Sequence, residues 1–178
     1  DFNNDIVDSL NRFGTDAISI HTKKNNIIKV TPEVKELGFV GIPKKIDNNL
    51  LEKILNKKQV PIISPLGLGN DNHPYNINGD IAAGAIAKSL KSRRLLLMTN
   101  VEGVLDKDKK LINEITSTEV LKLVENNIIT EGMIPKINTC LDAVKNGVTA
   151  VGIIDGRKQH SILFEIFSDK GSGTLIRK

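Results

Sequence analysis

Short apolar segments alternate with helical patterns along most of this 178-residue chain. Residues 60–64, 95–98 and 148–154 are compact apolar runs, which are typical of strands buried on both faces of a sheet. Between them, apolar residues recur every three or four positions, most clearly in 78–90 and 133–146, and this spacing predicts amphipathic helices. Alternation of buried strands with helices predicts an α/β fold on a mainly parallel sheet.

Two local patterns make more specific predictions. Residues 17–20 and 27–30 have the character of short strands on either side of a polar turn, which predicts a hairpin. Asp47 precedes a helical pattern over 47–56 and is the expected N-cap. In that helix, the residues expected to face the core are Leu50, Leu51, Ile54 and Leu55. Further predicted elements are the end of a helix at 8–13, a strand at 39–42, a glycine-rich loop at 65–73, helices at 118–126 and 161–167, and a strand at 174–176.

The composition argues against several classes of function. With 39% hydrophobic and 26% charged residues, the chain has the balance of a soluble globular protein, and no apolar run is long enough for a membrane span. The net charge of +4 is spread along the sequence and aromatic residues make up 3%, so neither a nucleic-acid partner nor a membrane partner is expected. The single cysteine, Cys140, lies among apolar residues and is expected in the core. We expect a cytoplasmic bacterial protein, or a plastid protein, given the abundance of Asn, Lys and Ile.

Polar residues crowd the start of the helix predicted over 78–90. Asn76, Asn78 and Asp80 alternate there, although one helix start needs only one capping side chain. Free N–H groups and the helix dipole favour an anion at such a position, so the surplus suggests a ligand. Turn formation or capping remains the alternative reading for Asn76 and Asn78, and capping or compensation of the helix dipole remains the alternative for Asp80.

Two further segments could carry chemistry. Residues 99–105 follow the strand at 95–98, and polar loops at the carboxyl ends of parallel strands are where open α/β sheets bind ligands. An ordinary turn that uses Asn100 and Gly103 is the alternative. Lys136 lies in the first turn of the helix at 133–146, where a cation is unfavourable for the dipole unless an anion such as phosphate compensates. The alternative for Lys136 is a solvated surface lysine.

Several common site patterns are absent from the sequence. It contains no Walker-type phosphate loop and no Rossmann glycine fingerprint. His21, His73 and His160 are too scattered to suggest a metal centre. If the chain handles a nucleotide, it therefore uses another design.

The polar segments, taken together, resemble the acetylglutamate kinases of the amino acid kinase family. The resemblance is carried by Tyr75-Asn76-Ile77-Asn78-Gly79-Asp80, residues 100–105, Gly132-Met133-Ile134-Pro135-Lys136 and residues 173–176. It implies an αβα sandwich on a mainly parallel open sheet. It also implies transfer of a phosphoryl group from ATP, with Mg²⁺, to the side-chain carboxylate of N-acetyl-L-glutamate, a step of arginine biosynthesis.

The resemblance assigns roles to individual residues. Lys136 would stabilise the transferring phosphoryl group, and Asp80 would hold active-site lysines in place. Asn76 and Asn78 would bind acetylglutamate. The residues implied in nucleotide binding are Thr99, Asn100, Val101, Glu102, Gly103, Val104, Leu105, Ile128, Ile129, Thr130 and Gly132.

The N-terminal signatures of these kinases do not occur in the sequence. They are a Lys-x-Gly-Gly strand, a His-Gly-Gly-Gly loop and an Arg-x-Thr segment, which supply the other lysine and further phosphate and substrate contacts. We therefore expect a fold that lacks its N-terminal portion, with residues 1–90 left from the substrate lobe and 91–178 as the nucleotide lobe. Alone, this chain is expected to be inactive. Two alternatives stay open: a kinase for an aminoadipate derivative, which Gly79 would suit, and a non-catalytic sensor of arginine or nucleotide.

The C-terminal segment resembles the family members that arginine inhibits. Glu165 and Gly171 are the residues implied in an arginine site, within a pattern that also includes His160, Phe167, Gly173 and Thr174. The alternative is a plain closing helix with Glu165 on a solvated face. The resemblance further implies a homo-oligomer, either dimer or hexamer, and the PII signalling protein as a partner.

Overall fold

The computed structural model describes residues 2–129 and 132–178. The chain divides into two compact units, Asp1–Ala85 and Ile86–Lys178. The boundary lies before the residue 90 expected from the resemblance. Within the described residues, the helices are α1 (Phe2–Arg12), α2 (Asn48–Asn56), α3 (Gly79–Ser89), α4 (Ser117–Glu125), α5 (Ile134–Lys145) and α6 (Ser161–Phe167), with a 3₁₀ turn at Lys35–Leu37. The strands there are β1 (Ala17–Ile20), β2 (Ile28–Pro32), β3 (Gly41–Ile46), β4 (Val60–Ile63), β5 (Leu66–Leu68), β6 (Pro74–Asn76), β7 (Arg94–Thr99), β8 (Glu114–Thr116), β9 (Ala150–Asp155) and β10 (Gly173–Arg177).

The first unit contains two sheets, and their pairing overturns the expected hairpin. β1 pairs with β4 in parallel, under α1, while β2 lies between β3 and β5 in a separate sheet of order β3-β2-β5-β6. After β1, the N–H of Asn25 donates to the carbonyl of His21, an i to i+4 turn instead of a tight two-residue connection. The turn therefore leads the chain away from β1, and the prediction that β1 and β2 pair is wrong.

α2 begins as the sequence predicts. The side chain of Asp47 accepts a hydrogen bond from the N–H of Leu50, so Asp47 is the N-cap. Leu51 and Ile54 are buried, but Leu50 is half-buried and Leu55 is 44% exposed. The expectation that Leu55 faces the core is wrong, because the stripe that packs toward β4 is narrower than the sequence suggested. β4 is itself only half-buried, with Val60 exposed.

The glycine-rich segment 65–73 is not a loop throughout. Its first part forms β5, which pairs antiparallel with β6 and places Gly67 opposite Tyr75. A Cβ on Gly67 would collide with the Val30 side chain of the neighbouring strand, so this glycine allows close packing between strands. The glycines of this segment predict a loop, whereas Gly67 lies in a strand and allows the neighbouring strand to pack close to it.

The second unit is built on one sheet of order β7-β9-β10-β8. β7 and β8 pair in parallel with β9 and β10 respectively, and β9 and β10 are antiparallel to each other. α5 packs on β9 and β10, α6 on β9, and α4 on β8 and α5. The predicted α/β class is confirmed. β8 was not predicted, because its three residues carry a single buried side chain, Ile115.

The core of the second unit includes Cys140, which is fully buried on α5 beside Ile137 and Val144. Its prediction as a core residue is confirmed. None of the helices in the described part of the chain has the length and apolar character needed to cross a bilayer.

Candidate functional site

A cavity of about 370 Å³ lies at the end of β7 in the second unit. We call it the β7 cavity. Its lining residues are Thr99, Asn100, Val101, Gly103, Val104, Leu105, Ile128, Ile129, Gly132, Met133 and Lys136. With the exception of Met133, each of them was proposed for a site from the sequence. Met133 stands between Gly132 and Lys136, and that position could have indicated it.

The sheet places this cavity where open α/β sheets bind ligands. β7 and β9 run in parallel, and their register aligns Thr99 with Asp155 at the carboxyl ends of both strands. The N–H of Gly156 donates to the carbonyl of Thr99, which ties the chain after β9 to the end of β7. Residues 100–105 leave the sheet at this edge and form one wall of the cavity.

Gly103 allows that wall to pack closely. It is buried, and its φ of +145° lies in the region that L side chains rarely adopt. A Cβ there would come within 2.5 Å of Thr174 Oγ1 and 2.8 Å of Leu111 Cδ1. A larger residue at position 103 would therefore push the loop away from β10.

The opposite wall comes from the segment between α4 and α5. The N–H groups of Ile128 and Ile129 both point back to the carbonyl of Leu123, which closes the end of α4. Lys136 follows in the first turn of α5 and is half-buried. The ammonium group of Lys136 and the N-terminal dipole of α5 both favour an anion in this cavity.

Of the described residues expected in nucleotide binding, Glu102 does not line the β7 cavity. Glu102 is exposed, and its carboxylate pairs with Lys158 Nζ at 3.0 Å. This ion pair holds the Glu102 side chain against the segment that follows β9. Thr130 lies outside the described residues. The nucleotide roles of both residues stay predictions.

The residues expected to bind substrate belong to the first unit. Asn76 is the exposed last residue of β6. Asn78 Oδ1 accepts from the N–H groups of Asp80 and Ile81 at 3.0 and 3.3 Å, so Asn78 caps α3. Asp80 is half-buried in the first turn of α3, and the alternative reading of Asp80 as the N-cap is wrong. The roles implied for Asn76, Asn78 and Asp80 by the resemblance stay predictions.

α6 has an inverted pattern of burial. Its polar residues Ser161 and Glu165 are 3% and 6% exposed, whereas Leu163, Phe164 and Phe167 are 53%, 58% and 80% exposed. The alternative reading of Glu165 as a solvated residue is therefore wrong. Because burial of a carboxylate is costly, the Glu165 side chain needs hydrogen-bond donors or a cation nearby.

The partners of Glu165 lie on two segments, the start of β7 and the loop before β10. Its Oε2 accepts from the N–H of Ser172 at 2.9 Å, and Arg94 Nη1 lies 3.8 Å from Oε1. A Cβ on Gly171 would come within 2.7 Å of Oε2, so the loop passes close to the carboxylate. These residues border a second cavity of about 390 Å³, here called the Glu165 cavity. Its lining residues are Arg94, Asn113, Glu114, Glu165, Ser168, Asp169, Lys170, Gly171, Leu175 and Arg177. Charges of both signs suit a zwitterionic ligand.

An ion pair at the end of β9 was not predicted from the sequence. Asp155 is 2% exposed and accepts hydrogen bonds from the side chain and backbone N–H of Arg157. These bonds lower the pKa of Asp155 from 3.8 to about 2, against an opposing effect of desolvation. A charged residue at the end of an otherwise apolar strand was the available signal.

Comparisons with known proteins show the family to which this chain belongs. A model of the amino acid kinase family matches residues 1–155. The chain belongs to the amino acid kinase family. Among curated members, it is 54% identical over 178 residues to the acetylglutamate kinase of Pelagibacter ubique, covering all of this chain and 62% of that protein. It is 47% identical to the acetylglutamate kinase of Clostridioides difficile, over 99% of this chain and 63% of that protein.

Solved structures agree with this membership. The smu.665 protein of Streptococcus mutans superposes with a TM-score of 0.78 at 31% identity, covering 96% of this chain and 64% of that one. The chain thus spans a little less than two thirds of the length of these relatives. Both curated relatives carry the acetylglutamate kinase name, so they give no support to the aminoadipate or sensor alternatives.

Proposed function

We propose that this chain is part of an acetylglutamate kinase, which transfers the γ-phosphoryl group of ATP to the side-chain carboxylate of N-acetyl-L-glutamate in arginine biosynthesis. The single observation that carries the proposal is the β7 cavity, because it brings together the loop at 99–105, the segment after α4 and Lys136. Identity of 54% to a named acetylglutamate kinase along the whole chain supports the choice of substrate.

The β7 cavity fits part of a nucleotide. Its volume is in the range of small-molecule sites, and such sites combine an apolar lining with a few polar groups. Val101, Val104, Leu105, Ile128 and Ile129 supply apolar surface suited to a base, and Asn100 supplies an amide. When bound, ATP would supply the phosphoryl group, and Mg²⁺ would be held largely by the phosphate oxygens.

The role proposed for Lys136 follows from charge. In phosphoryl transfer, the protein mainly positions the reactants and neutralises charge on the phosphate oxygens. Lys136 places an ammonium group at the start of α5, where the helix dipole acts in the same direction. The roles of Asp80 in holding active-site lysines in place, and of Asn76 and Asn78 in binding acetylglutamate, are proposed on the resemblance alone.

The experiment uses a chimera and the chain alone. In the chimera, this chain replaces the matching 62% of the Pelagibacter ubique acetylglutamate kinase, which retains the remaining segment of that protein. Acyl phosphate is trapped with hydroxylamine in the presence of acetylglutamate, ATP and Mg²⁺. We expect activity from the chimera and at least several orders of magnitude less from the chain alone. A folded but inactive chimera would count against the proposal.

The Glu165 cavity supports a second part of the proposal, inhibition by arginine. Glu165 is a buried carboxylate at the wall of a cavity that also carries basic side chains, so it could accept a guanidinium group while other residues meet the α-carboxylate. Titration of arginine against the active chimera tests this part.

Assembly and location complete the proposal. The apolar side chains exposed on α6 form a surface of the kind that often lies in protein interfaces, which supports a homo-oligomer, a dimer or a hexamer. Interaction with PII, and a cytoplasmic or plastid location, rest on the resemblance alone. Mass photometry of the chimera, with and without PII, tests the assembly.

A further inference from the structure

Thr174 of β10 joins two segments of the second unit through a closed set of hydrogen bonds. Its Oγ1 accepts from the N–H of Val104 at 2.8 Å and donates to the carbonyl of Ile112 at 2.6 Å. The N–H of Ile112 in turn donates to the carbonyl of Val104 at 2.9 Å. These three hydrogen bonds connect Val104, Ile112 and Thr174 in a ring, and they hold the loop that contains Val104 to β10.

The bond between Thr174 and Val104 is buried. Thr174 is 1% exposed and Val104 is 2% exposed. A buried backbone N–H that loses its acceptor keeps the full cost of its desolvation. The hydroxyl of Thr174 is the acceptor that the structure gives to the N–H of Val104.

Contact with Gly103 adds a steric reason for the same arrangement. Oγ1 of Thr174 would lie 2.5 Å from a Cβ at position 103. The hydroxyl thus occupies the space that a side chain at 103 would fill. Gly103 and Thr174 together fix how closely the loop approaches the sheet.

The loop held in this way is the wall of the β7 cavity formed by residues 99–105. We infer that Thr174 is a positioning residue for nucleotide binding: its hydroxyl holds Gly103 and Val104 at the distance that keeps the β7 cavity open. The inference rests on the proposed function, since it takes the β7 cavity as the nucleotide site. Thr174 itself is not among the residues that line the cavity.

The test uses the 178-residue chain and two measurements. Amide hydrogen exchange of Val104, followed by NMR, reports on the hydrogen bond itself. Calorimetric titration with MgATP reports on the β7 cavity. In Thr174→Val, which keeps the shape but removes the hydroxyl, we expect exchange at Val104 to become about five- to tenfold faster, as loss of one hydrogen bond implies. MgATP should bind several-fold more weakly.

Two variants separate positioning from packing. Thr174→Ser retains the hydroxyl and should restore both measurements toward wild type. Thr139→Val is the matched control, because Thr139 Oγ1 donates to Pro135 within its own helix. Should Thr174→Val fail to fold, Thr174→Ala removes the hydroxyl without adding bulk and provides the same readouts.

The outcomes are distinct. Unchanged exchange at Val104 in Thr174→Val or Thr174→Ala overturns the inference. Faster exchange with unchanged MgATP affinity also overturns it, because the loop would then not govern the cavity. If the isolated wild-type chain binds no MgATP, the titration is repeated with the chimera, which has the remaining phosphate contacts. No MgATP binding by the chimera contradicts the nucleotide site of the proposed function and removes this role of Thr174, while exchange still shows whether Thr174 holds the loop.

Discussion

Arg157 donates two parallel hydrogen bonds to the carboxylate of Asp155, from Nε to Oδ1 at 2.9 Å and from Nη2 to Oδ2 at 2.8 Å. The carboxylate is buried at the end of β9, while the Arg157 side chain is largely exposed. Because the register pairs Asp155 with Thr99, this ion pair lies at the edge where β7 enters the loop of the β7 cavity.

The first prediction concerns acid stability. Bonding to Arg157 lowers the pKa of Asp155 in the folded chain to about 2, below its ordinary 3.8. A carboxylate with a depressed folded pKa stabilises the fold above its unfolded pKa, and this contribution is lost as the pH falls from about 4 toward 2. Asp155→Asn should therefore be less stable than wild type near neutrality, and the difference should shrink over that range. Denaturant unfolding between pH 2 and 6 measures it. Arg157→Met should show the same trend, and a constant difference in both variants would contradict the assignment.

The second prediction concerns Lys136 in the active chimera. Lys136→Ala should lower kcat by roughly 10²- to 10³-fold with a smaller change in KM, since a charge that meets the phosphoryl group acts mainly in the transition state. Steady-state kinetics measures this. Lys145→Ala is the control, because Lys145 is exposed at the other end of α5. Equal kinetics for the two variants would leave Lys136 as a surface lysine.

The third prediction concerns Gly103 and the stability of the chain. Gly103→Ala meets an unfavourable φ and a collision with Thr174 and Leu111, so we expect a loss of about 2 kcal/mol or more in the free energy of unfolding. Gly79→Ala is the control, since a Cβ there meets nothing within 4 Å and α3 begins at that residue. It should change stability by less than about 0.5 kcal/mol. Chemical denaturation compares the two, and similar values would show that the loop adapts.

The fourth prediction concerns arginine. Glu165→Gln retains the shape of the side chain and can still accept from Ser172, but it removes the charge that would pair with a guanidinium. In the active chimera, inhibition by arginine should weaken with little change in turnover without arginine. Arginine titrations of both forms decide it. A wild-type chimera that ignores arginine, or identical curves for the two, would remove Glu165 from any regulatory site.

The sequence predicted the second unit better than the first, for reasons that lie in particular residues. β7, α5, β9 and α6 were found because each has a continuous apolar run or a clear helical period. The pairing of β1 with β4 was missed, since it joins residues far apart in sequence and nothing local marks it. Gly67 led to a wrong prediction for a different reason. Glycine locally indicates a loop, but here Gly67 lies in a strand because only a glycine fits against the Val30 side chain.

The same division applies to the candidate site. Polar residues at strand ends and helix starts indicated the loop at 99–105 and Lys136, because those positions have fixed geometry in an α/β sheet. The link from Thr174 to Val104 was not visible, since it connects residues 70 positions apart through a side chain inside a strand. A threonine within the apolar end of the chain was the available hint.

The inverted burial of α6 reverses the usual relation between hydrophobicity and mutational tolerance. Along most helices, polar residues accept replacement and apolar ones do not. In α6, exposed Phe167 can become polar without leaving a hole, while buried Glu165 cannot become apolar without leaving the N–H of Ser172 without its carboxylate acceptor. The fold of this unit therefore requires the buried polar side chain at position 165 of α6 to be retained. Any selection to retain Leu163, Phe164 or Phe167 would have to come from another surface that covers them.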